Sequence, residues 1–233
     1  MGIDKDTIRR RALELIARDG RGVAAQLGTE FGISRQVANG YLAVLAREGL
    51  VEAEGTTRAR VYQLKTLREV EKRYIREGLQ EDLVWRDQIA PVVADLASNV
   101  RDIWHYGSTE MINNAIDHSE AAYVQVRMQQ RDGRLLFEIA DAGIGIFRKI
   151  TRALDLPDER LALLELSKGK LTTDPQRHSG EGIFFTSRMF DAYRIESGGL
   201  VFDHDATHDL DLLDDTHDVA GTRVVMQLAT DPP

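Results

Sequence analysis

The stretch that decides the fold is Glu110-Met111-Ile112-Asn113-Asn114-Ala115-Ile116-Asp117-His118. Three of its polar residues, Glu110, Asn114 and His118, are spaced four apart, so a helix would place them on one face. The apolar residues fall on the opposite face, which we expect to pack against a core. Taken alone, the stretch is more typical of a surface helix with a solvated polar face. The residues expected on the buried side are Met111, Ile112, Ala115 and Ile116.

Three further stretches follow in order and favour a nucleotide site. They are Asp141-Ala142-Gly143-Ile144-Gly145, His178-Ser179-Gly180-Glu181-Gly182 and Gly221-Thr222. Together the four resemble the nucleotide-binding boxes of the GHKL superfamily, which includes gyrase, Hsp90-type chaperones, histidine kinases and MutL-type proteins. The resemblance covers residues 83–230. It implies a GHKL (Bergerat) α/β sandwich in which helices cover one face of a mixed sheet, within a chain of the α+β class.

The resemblance implies roles in binding ATP or ADP for individual residues. Asn114 would offer its side-chain oxygen to Mg²⁺, an ion that prefers hard oxygen ligands. Glu110 would be the catalytic carboxylate that orients or deprotonates water, and Asp141 would accept the exocyclic amine of adenine. Asp117 stands where kinase members often have a lysine, a departure from the kinase pattern. The other residues assigned to the nucleotide are Asn113, Asp117, His118, Gly143, Gly145, Ile146, Lys170, Gly180, Glu181, Gly182, Ile183 and Thr222.

The polar segment from Ser167 to Ser179 resembles the ATP lid of this superfamily. Its Lys170 could reach phosphate oxygens, although a solvated loop explains the segment equally well. The helix expected after Gly182 would turn free backbone N–H groups toward an anion. No Gly-x4-Gly-Lys-Ser/Thr sequence occurs, so a P-loop is excluded.

Charge is distributed unevenly along the chain. The net charge of the 233 residues is −8, which argues against a protein that coats nucleic acid over its whole length. Residues 1–65 carry 11 Lys and Arg against 8 Asp and Glu, a balance of +3 that leaves −11 for the remaining 168 residues. Any contact with nucleic acid therefore belongs to the first 65 residues.

The pattern of residues 1–65 predicts three helices followed by two short strands. The helices are expected at about Asp6–Asp19, Val23–Phe31 and Arg35–Glu48, with Ser34 as the N-cap of the third. The strands are expected between Leu50 and Leu64. This order resembles a winged helix-turn-helix. The apolar side of the third helix is expected to be Val37, Tyr41, Val44 and Leu45.

The outward face of the third helix offers groups suited to double-stranded DNA. Glutamine and asparagine suit base edges, and arginine suits phosphate or guanine. The winged-helix resemblance places such a helix in the major groove, with the hairpin near the backbone. A small helical domain used for protein contacts is the alternative. The expected DNA-binding residues are Arg35, Gln36, Asn39, Arg47, Arg58 and Arg60.

The sequence also predicts the structure of two other segments. Residues 66–82 are highly charged with sparse apolar positions, and predict an exposed connecting helix that either pairs with its copy in a homodimer or lies on its own domain. The stretch Asp203–Asp218 alternates His and Asp without a recurring ligand spacing. We interpret it as a solvated acidic loop and assign no metal to it.

Several classes of protein are excluded by the sequence. The chain has no cysteine, which rules out disulfides and thiolate metal sites. No apolar run is long enough to span a membrane and the N-terminus lacks a signal-peptide pattern, so a cytoplasmic protein is expected. His105 is the only histidine before the first box, and it precedes Glu110 by five residues, which argues against a self-phosphorylating sensor kinase.

Two functions remain open. The first is an ATP-binding, Mg²⁺-dependent regulator that binds DNA, with its conformation or assembly controlled by the nucleotide. The second is an enzyme, either a protein kinase or a slow ATPase that acts on a separate protein partner or phosphoacceptor, with the winged helix as a docking module. The retained Glu110 favours the second, and the first 65 residues favour the first.

Overall fold

Two compact units make up the chain, Met1–Leu67 and Arg68–Pro233. The computed structural model describes residues 5–56, 60–131, 133–168, 182–206 and 210–230. Each unit has its own hydrophobic core, and no buried residue belongs to both cores. Within these ranges, no helix is long and apolar enough to cross a membrane.

The first unit consists of three helices and an antiparallel strand pair, in the predicted positions. Ser34 caps the third helix, since its Oγ accepts a hydrogen bond from the Val37 N–H at 3.3 Å. The strands pair from Val51 opposite Leu64 to Glu54 opposite Val61. The elements are α1 (Lys5–Arg18), α2 (Val23–Phe31), α3 (Arg35–Arg47), β1 (Val51–Glu54) and β2 (Val61–Leu64).

The predicted buried side of α3 is confirmed for Leu45, which is buried, and for Tyr41, which packs against the core, but it is wrong for Val37 and Val44. Ala38, Leu42 and Leu45 are buried, whereas Val37 and Val44 are 48% and 40% exposed. Both sets of residues recur at helical spacing, so periodicity alone could not choose between them. Packing of α3 against α1 and α2 sets the rotation of the helix and turns the two valines outward.

The second unit is built on a five-stranded sheet with the order β3-β4-β5-β7-β6. Every strand pair with a described register is antiparallel. The ion pair of Glu69 with Arg127 and the hydrogen bond between Glu71 and Gln125 place β3 antiparallel to β4 as well. The expectation of a mixed sheet was therefore wrong. The strands are β3 (Thr66–Ile75), β4 (Tyr123–Arg131), β5 (Arg134–Asp141), β6 (Ala192–Asp205) and β7 (Leu210–Ala229).

The connecting helix predicted at 66–82 is also wrong, because Thr66–Ile75 forms edge strand β3. Its apolar positions Val70 and Tyr74 are four apart, a spacing that fits one face of a helix and also one face of a strand. Pairing with β4, which lies about 50 residues later, decides in favour of the strand. The many charged side chains are typical of an edge strand that is protected from further pairing.

Helices cover one face of this sheet. Residues from adjacent strands line up across it in the row Met128, Phe137, Met226 and Tyr193, and all four are buried in the core. The Trp104 indole of the longest helix packs at the edge of Phe190, with ring centroids 4.9 Å apart. The helices are α4 (Glu81–Val84), a π-helical turn (Trp85–Ile89), α5 (Ala90–Val93), α6 (Ser98–His118), α7 (Ile146–Ala153), α8 (Glu159–Ser167) and α9 (Gly182–Met189).

The opposite face of the sheet carries a chain of ion pairs. Arg223 bridges Glu138 and Glu196, each at 2.8 Å, and Arg194 bridges Glu196 and Asp203. Glu196 has only 4% of its side chain exposed, and its two arginine partners lower the pKa of its carboxyl against the cost of burial. Buried and partly exposed residues alternate along the central strand β5, as a sheet with helices on one side requires.

The acidic segment Asp203–Asp218 was expected to be a loop, but residues 203–205 belong to β6 and residues 210–218 to β7, while residues 207–209 lie outside the described part of the chain. Strands β6 and β7 form one long hairpin that pairs from Asp205 opposite Leu210 back to Ala192 opposite Gln227, with a bulge near Gly198. His204 is buried and its Nδ1 lies 2.8 Å from Asp211, which also pairs with Arg188 of α9. This cluster attaches the far end of the hairpin to α9.

Candidate functional site

The second half of α6 contains the first sequence stretch with its five polar residues. Glu110, Asn113, Asn114 and His118 are partly buried, and Asp117 is exposed. On the other side of the helix Met111, Ile112 and Ala115 are buried and Ile116 packs against the same core, as predicted. The polar row therefore lies at the border between core and solvent, where a ligand can reach it.

The loop that follows β5 is attached to the end of α6. Asp141 ends the strand, and its Oδ1 accepts a hydrogen bond from the Gly143 N–H at 2.8 Å. The next N–H, of Ile144, donates to the Ser119 carbonyl at 3.0 Å. Gly143 lies so close to Ser119 that an added Cβ would overlap the Ser119 carbonyl. Only a glycine permits this approach of loop to helix end.

Strand β7 closes the loop from the other side. Gly221 has a φ of +71°, and a Cβ built on it would lie 2.6 Å from both Asp141 Oδ1 and the Gly143 nitrogen. Its carbonyl accepts a hydrogen bond from the Ser197 hydroxyl at 2.6 Å. The next residue, Thr222, accepts from the Ile146 N–H at 3.0 Å. The second and fourth sequence stretches thus form one packed unit around Asp141.

The environment of Asp141 alters its acidity. Burial raises the pKa of its carboxyl, and hydrogen bonds from the backbone of Gly143 and Thr222 partly oppose the rise. Oδ1 already accepts the Gly143 N–H, while a carboxylate has acceptor capacity on both oxygens. Asp141 is therefore a fixed, partly desolvated acceptor that can take a further donor from a ligand.

Two cations stabilise the C-terminal end of α6, next to this loop. The Arg76 guanidinium donates to the carbonyl of Ile116 at 2.9 Å and to that of Ala121 at 2.6 Å. Lys149 of α7 donates to the His118 carbonyl at 2.9 Å. These bonds satisfy carbonyls that a helix end leaves without partners and complement its negative dipole. They hold the helix end against which the Asp141 loop packs.

The third sequence stretch approaches the first at the start of α9. Gly182 is the first residue of that helix, and an added Cβ would overlap Glu110 Oε2. The Glu110 carboxylate therefore lies against the helix N-terminus, where backbone N–H groups and the helix dipole favour negative charge. A phosphate bound at this end of α9 would lie beside Glu110.

The remaining predicted nucleotide residues fall into two groups. Ile146 and Ile183 pack partly against the core of the second unit, so their side chains serve the fold, and Gly145 caps α7 with a φ of +84°. Lys170, Gly180 and Glu181, together with most of the expected lid, lie outside the described residues.

The predicted DNA-binding residues of the first unit share the outward side of α3. Arg35, Gln36, Asn39 and Arg47 are all exposed, and so is Arg60, which directly precedes β2. Arg58 lies outside the described residues. No acidic residue occurs between Arg35 and Arg47, so this side of the helix offers only positive charge and neutral polar groups.

Sequence reasoning missed four residues that support the site. Ser119 and Ser197 hold the loop through a carbonyl and a hydroxyl, and Arg76 and Lys149 stabilise the end of α6. Arg76 comes from the segment predicted as a connecting helix, so its position could not be inferred. Ser197 precedes Gly198 and Gly199, and this break in a strand was the one local signal near it.

Comparison with protein families gives a match that covers more than half of the chain. The model of the family described as "Histidine kinase-like ATPase domain" matches residues 57–202. The match includes β3, the polar row of α6 and the Asp141 loop, and it ends before Gly221 and Thr222. A search of curated proteins found no match.

Proposed function

The chain belongs to the histidine kinase-like ATPase family, and we propose on this premise that it is a Mg²⁺-dependent ATP-binding regulator whose first unit binds double-stranded DNA. The observation that carries the nucleotide part is the convergence of the α6 end, the Asp141 loop and Gly221 on one partly buried carboxylate. In this proposal the bound nucleotide, ATP or ADP, sets whether the chain binds DNA, through its conformation or through assembly with a second copy.

The residues around Asp141 fit an adenine nucleotide. The carboxylate of Asp141 would accept the exocyclic amine of adenine, and Thr222 would hold the surrounding backbone. Asn114, on the polar row of α6, would supply an oxygen ligand to Mg²⁺, which otherwise keeps its waters. Gly182 and the N-terminus of α9 would bind a phosphate, with Asn113 and His118 as further polar contacts.

An arrangement of three helices and a strand pair supports a winged helix-turn-helix in the first unit. In such a domain the third helix enters the major groove. The exposed Arg35, Gln36, Asn39 and Arg47 of α3 would contact bases and phosphates there. Arg58 and Arg60 of the hairpin would contact the backbone.

A second function is supported by Glu110. Its carboxylate lies at the start of α9, where it can orient or deprotonate a water next to a phosphate. A slow ATPase, or a kinase that transfers phosphate to a separate protein, would use this residue. Glu110→Ala should then retain nucleotide binding and lose turnover; unchanged phosphate release would remove Glu110 from catalysis.

The nucleotide part is tested with Asn114→Ala. We expect calorimetry to show that the variant loses the Mg²⁺-dependent part of its ATP affinity. Asn99→Ala is a matched control, because Asn99 is exposed at the start of the same helix. An Asn114→Ala protein that binds Mg-ATP as tightly as the Asn99→Ala protein would refute the metal assignment.

The DNA part is tested by selection from a random duplex pool without nucleotide, with Mg-ADP and with a non-hydrolysable Mg-ATP analogue. Enrichment that depends on the nucleotide would support an ATP-controlled DNA-binding protein. Arg47→Ala should weaken binding and flatten its salt dependence, whereas Arg18→Ala, at the end of α1, should not. Failure to bind any duplex at low salt would leave the kinase or ATPase function, with the first unit as a protein-docking module.

A further inference from the structure

The outward side of α3 contains two valines that the core does not use. Val37 and Val44 are 48% and 40% exposed, and they are seven residues apart, so they form one stripe along the helix. Scattered exposed apolar residues are normal on a protein surface. These two are aligned along the helix, which also exposes the polar residues Gln36 and Asn39.

Gly40 lies between the two valines and has no role in the packing of its own unit. A Cβ added to it would meet no described atom within 4 Å, and its backbone is helical. Glycine in a helix interior is unfavourable compared with alanine. The fold alone therefore does not account for glycine at this position. Because Gly40 has no side chain, the backbone of α3 remains accessible between the two valines.

Charge favours a polyanion over an apolar partner for this surface. Arg35 and Arg47 lie at the two ends of α3, and within the described part of the chain neither has an acidic partner. By contrast, Arg9 and Arg11 of α1 are paired with Glu48 and Glu30. Residues 1–65 carry a balance of +3 within a chain of net charge −8. Arg35 and Arg47 thus leave a positive charge available near each end of the valine-bearing helix.

We propose that Val37 and Val44 recognise thymine methyl groups in the major groove, so that the first unit selects a DNA site with A·T pairs at two defined positions. This inference rests on the proposed DNA binding. The C5-methyl of thymine is an apolar group exposed in the major groove, and apolar side chains contact it. Gln36 and Asn39 have amide groups of the kind that recognise adenine, and the arginines would bind the flanking phosphates.

The spacing of the valines limits the arrangement of the two A·T pairs. Seven residues extend about 10 Å along a helix, and stacked base pairs are about 3.4 Å apart. The two side chains therefore contact different base pairs, roughly three steps apart when the helix follows the groove. Gly40 and Ala43 between them let the helix approach the base edges closely.

The experiment begins with the full chain and the best duplex from the random pool, in the nucleotide state that binds most tightly. Each thymine is replaced in turn by deoxyuridine, which removes one methyl and leaves the hydrogen-bonding pattern intact. We expect two positions at which the wild type loses about fourfold in affinity, the value of one buried methyl. Val37→Ala should be insensitive to the loss of one methyl and Val44→Ala to the loss of the other.

Each variant serves as the control for the other, because both side chains are exposed and neither substitution removes core packing. Thermal unfolding of both variants should match the wild type. A wild-type chain that selects a sequence but tolerates deoxyuridine at every position would overturn the inference and leave the proposed DNA binding intact. A chain that binds no duplex in any nucleotide state would overturn both, and would make this face of α3 a protein contact.

Discussion

Two glycines, one in each unit, have opposite surroundings. Gly143 of the second unit lies so close to the Ser119 carbonyl that no side chain fits. Gly40 of the first unit is surrounded by open space. The first glycine is explained by contacts inside the chain. The second is not explained by any contact among the described residues.

The same difference extends to the neighbouring residues. Around Gly143, the loop has a hydrogen bond to a named partner at Asp141, Ile144, Ile146 and Gly221. Around Gly40, the outward residues of α3 are exposed, and they include two valines. Contacts within the second unit therefore fix the backbone around Gly143, whereas the outward residues of α3 remain exposed in the first unit.

The largest expected effect comes from Gly143→Ala. The new Cβ overlaps the Ser119 carbonyl, so the loop has to move away from α6. We expect the free energy of unfolding to fall by about 1–3 kcal/mol, the range for overpacking, and ATP binding to be lost. Urea unfolding and calorimetry measure the two effects. A stable variant that binds ATP normally would show that the loop is not a constrained element.

Asp141→Asn tests what this constrained loop binds. We expect ATP affinity to fall about 10- to 100-fold, because a hydrogen bond to a charged acceptor is replaced by one to a neutral amide. Affinity for GTP should change little by comparison. Equal losses for both nucleotides would mean that Asp141 supports the fold and does not recognise adenine.

The pH dependence of ATP binding adds a second test of Asp141. Burial raises the pKa of this carboxyl, so affinity that requires the ionised form is lost, as pH falls, at a higher pH than for an ordinary aspartate. The effect on stability has the opposite sign. The folded state holds the proton more tightly than the unfolded state, so protonation of Asp141 adds stability as pH falls. In Asp141→Asn, both the loss of ATP affinity and the gain in stability that accompany protonation of this residue should disappear. Calorimetry and unfolding measured across the acidic pH range would show this.

The smallest expected effect comes from Gly40→Ala, which is the same chemical change as Gly143→Ala in the opposite setting. With open space around the new Cβ, helix propensity should stabilise the first unit by about 0.5–1 kcal/mol. DNA binding should weaken because the helix surface is raised between Val37 and Val44. A gain in melting temperature without any loss of affinity would contradict close approach at Gly40.

Much of the molecule could be predicted because its signals are local. Helices α2 and α3, the Ser34 cap and the buried side of α6 follow from helical spacing and capping chemistry within a few residues. The order of the four sequence stretches also indicated a nucleotide site before any contact was known. Each of these signals is complete within one element or one short loop.

The errors arose where a distant partner decides the outcome. Strand β3 has spacing that also fits a helix, and only β4 selects the strand. The segment at Asp203–Asp218 was interpreted as a loop because of its charge, but pairing of β6 with β7 makes it a hairpin. The predicted rotation of α3 about its own axis was wrong, because packing against α1 and α2 determines which of two neighbouring apolar stripes is buried.

The sequence by itself determined the helical elements of the first unit, the polar row of α6 and the chemical types of the residues in the candidate site, since these depend on spacing and residue type. Only the tertiary structure decided that Ser119, Ser197, Arg76 and Lys149 hold that site, that β3 joins the sheet, and that Val37 and Val44 face outward. These features depend on contacts between residues far apart in the chain, and local propensity contains no information about which of several compatible pairings has the lowest free energy.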